Sequence, residues 1–96
     1  MNFDFVPYQD FEWDEWNVKK NWVRHKTTDK DCEEVFTDPR KRILPDVFHS
    51  KKEKRFILIG STFDARVLYV AFTIRNKRIR VISARDLNRK ERNLYS

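Results

Sequence analysis

Eight arginines crowd the second half of this chain: Arg55, Arg66, Arg75, Arg78, Arg80, Arg85, Arg89 and Arg92. A guanidinium is a planar fork of donors that stays protonated, so it matches phosphate oxygens and makes a poor general base. Several converging on one phosphodiester would stabilise the pentacovalent phosphate of metal-free RNA cleavage. Such a reaction also needs a group that positions or deprotonates the 2′-hydroxyl and one that protonates the leaving oxygen. Proton-transfer candidates are His49, Glu53, Tyr95 and His25. As an imidazole, His49 has the best intrinsic pKa for the task, and Glu53 and Arg55 follow it closely. His25 falls at the end of an expected helix, where a protonated imidazole meets the dipole and has a structural use.

The charge distribution points the same way. The net charge is +6. Residues 1–48 hold 8 Lys/Arg and 11 Asp/Glu, a net of −3, whereas residues 49–96 hold 13 and 4, a net of +9. A half-chain this basic suits a polyanion, whose binding is dominated by phosphate neutralisation and counterion release. Other chemistries find little footing. There is no phosphate-cradling glycine loop, no paired Cys/His metal spacing and no nucleophile elbow, so neither metal nor cofactor is expected. The single cysteine, Cys32, forms no internal disulfide. No apolar run is long enough for a membrane span, and no basic-then-apolar leader opens the chain, so cytoplasmic residence is expected.

The elements that must hold these residues follow from periodicity. With 96 residues and a mean hydropathy of −0.82, one domain spanning 1–96 is expected. Residues 1–13 alternate loosely and read as extended. Asp14 to about His25 reads as a helix with an acidic first turn. Trp16 with Val23, and Val18 with Trp22, mark two apolar faces, so that helix is expected to be buried on two sides, its tryptophans serving core and sheet-edge packing. Thr28 and Asp31 have capping-box spacing for a second helix, which presents Cys32, Val35 and Phe36 on one face and stops at Asp38-Pro39.

The second half reads as strands. A weak one covers Arg42–Val47 and a buried one Arg55–Gly60. Ser61–Ala65 is a hairpin loop. Arg66–Arg75 is a strand with Leu68, Val70, Phe72 and Ile74 opposite Val67, Tyr69, Ala71 and Thr73. Asn76-Lys77 is a turn, and Arg78–Ser83 places Arg78 and Arg80 opposite Ile79 and Val81. A last helix is expected from Ala84 or Asp86 to Leu94, with Arg85, Arg89 and Arg92 forming a basic stripe. Two helices followed by a strand meander give an α+β fold on a small antiparallel β-sheet with a short C-terminal helix.

These residues carry a family resemblance. Phe11-Glu12-Trp13-Asp14 with Asn17, Asn21 and His25 resembles the opening of the BrnT toxins. Val35-Phe36 with Asp38-Pro39 resembles their next block. His49-Ser50, Glu53, Arg55 and Ile59-Gly60 resemble the central one. Val67–Thr73, Arg75, Ile79-Arg80-Val81-Ile82-Ser83-Ala84-Arg85, Glu91-Arg92 and Tyr95 resemble the closing one. The four blocks run in order from Phe11 to Tyr95. The resemblance implies a RelE-like fold and a type II toxin that cleaves RNA and inhibits translation. It also implies a cognate antitoxin, typically a ribbon-helix-helix DNA-binding protein, and a toxin–antitoxin hetero-oligomer. Residues 1–10 extend beyond the usual family start, with an added edge strand as one use. Three positions depart from the pattern: Lys26 replaces a helix-stopping Gly, Asp29 a core aromatic, and Ile74 an acid before the strand-end arginine.

The expectation is a metal-independent endoribonuclease. Arg75, Arg80 and Arg85 clamp the phosphate, and His49 or Tyr95 handles protons. Arg55 assists, with Arg66, Arg78, Arg89 and Arg92 as further RNA contacts. Two other readings use the same basic surface: a non-catalytic nucleic-acid-binding module, and an interaction protein that binds an acidic partner such as the antitoxin.

Overall fold

A computed structural model describes residues 10–47 and 53–95. Strand β1 is Phe11–Glu12, followed by helices α1 (Glu15–His25) and α2 (Asp29–Phe36). Strands β2 (Arg42–Pro45), β3 (Arg55–Ser61), β4 (Val67–Arg75) and β5 (Arg78–Asp86) follow, and a short 3-10 helix spans Arg89–Leu94. The five strands form one sheet in the order β1-β5-β4-β3-β2. Of residues 1–10, assigned to an extension, 1–9 lie outside the described residues.

The α+β expectation holds, with two corrections. The sheet is mixed: β1 runs parallel to β5, pairing Phe11 with Ile79 and Glu12 with Arg80. These strands come from opposite ends of the chain, so no tight hairpin dictates an antiparallel sense. The C-terminal helix is a 3-10 helix that begins only at Arg89. Residues 84–86 instead extend β5 along β4, pairing Tyr69 with Arg85 and Leu68 with Asp86. Arg85 therefore belongs to a strand, and the expected helical stripe of Arg85, Arg89 and Arg92 does not form.

Helix α2 folds as its sequence dictates. Thr28 Oγ1 accepts from the Asp31 amide at 3.0 Å, and the Thr28 amide donates to Asp31 Oδ2 at 3.1 Å. The reciprocal pair satisfies two donors that a helix start leaves open. Cys32, Val35 and Phe36 are all buried in the core with Leu58, Leu68, Val70, Phe72, Ile79, Val81 and Ala84. Burial pushes the Cys32 thiol up to about 12, so it is an inert core residue. Phe36 meets Phe11 and Phe72 edge-on, each at 5.0 Å between centroids. Gly60 lies where α2 crosses β3; a Cβ there would sit 2.8 Å from the Val35 carbonyl oxygen. The one glycine of the chain permits that approach.

Helix α1 departs from the reading of its pattern. Trp16 is 70 % exposed and Trp22 50 % exposed, so neither fills a core. The residues turned inward are polar: Asn17 and Asn21, one helical turn apart, are buried against β5. Asp14 caps the helix by accepting from the Asn17 amide at 2.7 Å. At the other end Lys26 takes the left-handed conformation, φ 53, that glycine most readily adopts. The chain also turns without glycine at Ala65, Asn76 and Lys77, all at positive φ. No helix among the described residues is long and apolar enough to cross a membrane.

Candidate nucleic-acid interface

One irregularity in β5 organises the site. Ala71 pairs with Ser83 and Phe72 with Val81, so Ile82 is an extra, unpaired residue. In a regular strand Arg80 and Arg85, five apart, would point to opposite faces. The bulge shifts the phase by one and puts both on the face away from the helices. Arg78, Arg80, Ser83 and Arg85 share that face with Tyr69, Ala71, Thr73 and Arg75 of β4 and with Arg55 and Ile57 of β3.

Helix α1 holds the bulge through its polar side. Asn17 Nδ2 donates to the Val81 carbonyl at 3.1 Å, and Lys20 Nζ to the Ile82 carbonyl at 2.7 Å. The Ala84 amide donates to Asn21 Oδ1 at 3.3 Å. β1 pairs with β5 only at residues 79 and 80. Beyond that point β5 would be a bare edge, and α1 satisfies its backbone groups instead. Burial and the nearby Arg24 charge depress the Lys20 ammonium, an environment consistent with its reach into this interface.

Along the face away from the helices the side chains fall into cross-strand rows, with Ile57, Ile59 and Thr73 buried and Ala71 and Ser83 partly exposed. Arg55, Thr73 and Arg80 make one; Ile57, Ala71 and Ser83 the next; Arg42, Ile59, Tyr69 and Arg85 a third. Rows on one face repeat every two residues, about 6.7 Å apart along a strand. Arg80 and Arg85 thus flank a floor of small and apolar side chains, with their rows about 13 Å apart. The third row is covered by the C-terminal segment, which bridges from β5 to β2. Arg85 pairs in bidentate fashion with Glu91, both contacts 2.8 Å, and Arg42 donates to the Leu94 carbonyl at 3.3 Å. The Arg85 guanidinium lies 4.1 Å above the Tyr69 ring.

Every one of these clamp arginines faces a carboxylate. Arg80 donates to Glu12 Oε1 and Asp14 Oδ2, each at 2.9 Å. Arg75 pairs with Glu53 at 3.0 Å. The hydrogen bond to Glu12 raises the Arg80 guanidinium further, and the one from Arg85 holds the Glu91 carboxyl below its usual range. A phosphate can take the place of a carboxylate on the same fork, because each presents two anionic oxygens to the planar guanidinium.

The structure thus brings Arg55, Arg75, Arg78, Arg80 and Arg85 to one sheet face. Other candidates lie elsewhere. Arg66 reaches under the sheet end, donating to the His25 carbonyl at 2.7 Å, the Lys26 carbonyl at 2.8 Å and Thr27 Oγ1 at 2.9 Å, and pairing with Asp86. It ties the α1–α2 junction to β4. Arg89 and Arg92 are exposed on the 3-10 helix. Tyr95 donates to Asp38 Oδ2 at 2.6 Å, beyond the covered third row. That bond to a carboxylate raises its phenol, and burial adds to it, so Tyr95 stays protonated at neutral pH. His49 lies outside the described residues. Ile74 pairs with Ile79 and packs against the helix-side core. An acid at position 74 would face that layer, away from the Arg80 row.

The sequence reading missed Tyr69, Ser83 and the carboxylates that hold the arginines. Tyr69 and Ser83 were legible only once Arg85 was placed in a strand. Glu12 and Arg80 lie 68 residues apart, so no local pattern joins them. Among the described residues no group of three metal-ligating side chains gathers.

The sequence of residues 13–91 matches the family model described as the ribonuclease toxin, BrnT, of type II toxin-antitoxin systems. Comparison with curated protein sequences gives no match. The matched span contains both helices, the bulged strand, its arginines and Glu91. The chain belongs to the BrnT family of ribonuclease toxins of type II toxin–antitoxin systems.

Proposed function

We propose that this chain is a metal-independent endoribonuclease that binds RNA across the open sheet face and inhibits translation in the cytoplasm. Family membership implies the RNA substrate and an antitoxin partner. Within the proposal that partner is a ribbon-helix-helix protein, held with the toxin in a hetero-oligomer. The observation that carries the reading is the Ile82 bulge, which turns Arg80 and Arg85 to one face on either side of Ala71 and Ser83. A phosphodiester over that floor meets a guanidinium on each side. Arg55 and Arg75 extend the basic surface, and Arg78 flanks it. Arg66 contributes by fixing the sheet end, while Arg89 and Arg92 offer outer phosphate contacts. Binding exchanges Glu12, Asp14 and Glu91 for phosphate oxygens. Proton transfer falls to His49, with Tyr95 the other candidate.

The test is incubation of purified chain with single-stranded RNA in excess chelator, with analysis of product ends. Products ending in 2′,3′-cyclic phosphate are expected. Removing one preorganised oxyanion donor costs about 100-fold or more in rate. Arg80→Ala/Arg85→Ala is therefore expected to lose at least that factor, and wild-type cleavage by the double variant would refute the clamp.

A second reading has its own support. All three clamp arginines are neutralised by carboxylates, and His25, the one described histidine, sits at the α1 terminus away from the open face. A non-catalytic module binding RNA on the same face would show salt-dependent binding with no cleavage.

A further inference from the structure

The surface opposite in character to the arginine face lies between the helices. Trp13, Val18 and Trp22 line an open groove of about 610 Å³ between α1 and the start of α2. Val18 and Trp22 are one helical turn apart, and Trp22 is half exposed. Nothing in RNA binding on the sheet uses them. An exposed apolar patch of this kind marks an interaction site.

The charge around the groove says what fits it. Its rim carries Glu15 and Asp29 against Lys19, together with Asp14, which Arg80 already neutralises. The wider surface agrees: residues 10–38 hold 5 Lys/Arg and 9 Asp/Glu, a net of −4, whereas residues 39–96 hold 16 and 5, a net of +11. The ring at its centre already accepts a cation, since Lys26 Nζ lies 5.1 Å from the Trp22 centroid.

We infer that this groove is the docking site for the antitoxin, through a segment with an apolar anchor for Trp13, Val18 and Trp22 and a rim of lysines or arginines facing Glu15 and Asp29. The +11 region alone would lead one to expect an acidic partner. The groove assigns the opposite chemistry to the segment that docks here. Docking at α1 leaves the sheet face uncovered by that segment, so any block of RNA binding comes from the rest of the partner. The inference rests on the antitoxin that family membership implies and is independent of whether the open face cleaves RNA.

The test uses the full-length chain and its purified cognate antitoxin. Binding is measured for wild type, Trp22→Ala, Glu15→Lys/Asp29→Lys and Arg75→Ala/Arg85→Ala, whose arginines pair with Glu53 and Glu91 away from the groove, with helicity by circular dichroism confirming that each is folded. Trp22→Ala and Glu15→Lys/Asp29→Lys are each expected to weaken the complex at least 10-fold, and the arginine pair to change it less than threefold. A photo-crosslinker at position 22 is expected to capture an antitoxin segment rich in Lys and Arg. Loss of binding confined to the arginine pair would overturn the inference, as would capture of an acidic segment or failure of the antitoxin to bind wild type at micromolar concentration. If Trp22→Ala dissociates an oligomer of the chain alone in sedimentation, the groove joins two copies of this chain and the inference is also overturned. Cleavage activity of Trp22→Ala, measured in parallel, separates failure here from failure of the ribonuclease reading.

Discussion

Replacing Asn21 with Ala tests how the arginine face is built. Asn21 is 2 % exposed, and its Oδ1 accepts from the amide of Ala84, which has no exposure. The substitution leaves that amide unpaired between α1 and β5, at a cost of about 1–3 kcal/mol. The better helix propensity of Ala returns about 0.5 kcal/mol, leaving a net loss of about 0.5–2.5 kcal/mol. A domain of this size has roughly 5–14 kcal/mol in total, and each kcal/mol lowers its melting temperature by about 4–8 °C. A fall of roughly 2–20 °C is therefore expected in differential scanning calorimetry. Amide exchange supplies the local readout: Ala84 should lose protection beyond that of the core strands. Trp16→Ala is the contrast, because an exposed side chain with no described partner should cost under about 0.5 kcal/mol. If Asn21→Ala melts with wild type, or loses no more than Trp16→Ala, then α1 is not held through its polar side.

Further outcomes follow from particular contacts. Gly60→Ala forces a methyl against the Val35 carbonyl and should destabilise by about 1–3 kcal/mol in urea titration; an unchanged midpoint would show that α2 can shift without cost. Asn76 and Lys77 both hold positive φ in the β4–β5 turn, so Lys77→Gly should stabilise by about 0.5–1 kcal/mol, and a lower urea midpoint would contradict that. The raised Tyr95 phenol contributes stability that is complete below its unfolded value near pH ~10 and is lost as pH rises through the folded value. Tyr95→Phe should therefore be less stable than wild type by about 1 kcal/mol at neutral pH and converge with it only once pH exceeds the raised folded value, and a gap that persists beyond it would assign the loss to packing.

How much of this was legible depended on where each signal lies. Helix α2 could be read because its cap, its box partner and its apolar face are all local, and Thr28, Asp31, Cys32, Val35 and Phe36 do what their spacing dictates. The alternation of β4 was legible for the same reason. Helix α1 misled because its packing face is Asn17 and Asn21, while its tryptophans point to solvent. Hydrophobic periodicity carries no information when a helix docks by bonding a strand's backbone. The length of β5 was missed because Arg85-Asp86 has helix-compatible polarity, whereas pairing with Tyr69 and Leu68 keeps it extended. One sign of the bulge was present: the alternation of Ile79 and Val81 breaks at Ile82. The carboxylates on the arginines were invisible because they arrive from the far end of the chain or from the next element.

The central claim is that the bulged strand presents Arg80 and Arg85 together to RNA phosphate. The most direct measurement is the salt dependence of RNA affinity, taken with single-stranded RNA for wild type and for Arg80→Ala/Arg85→Ala. Each phosphate contact adds about 0.7 to the slope of log affinity against log salt. Loss of two contacts should flatten the slope by about 1.4 while the double variant remains folded. An unchanged slope would mean that RNA does not meet these arginines and would contradict the account.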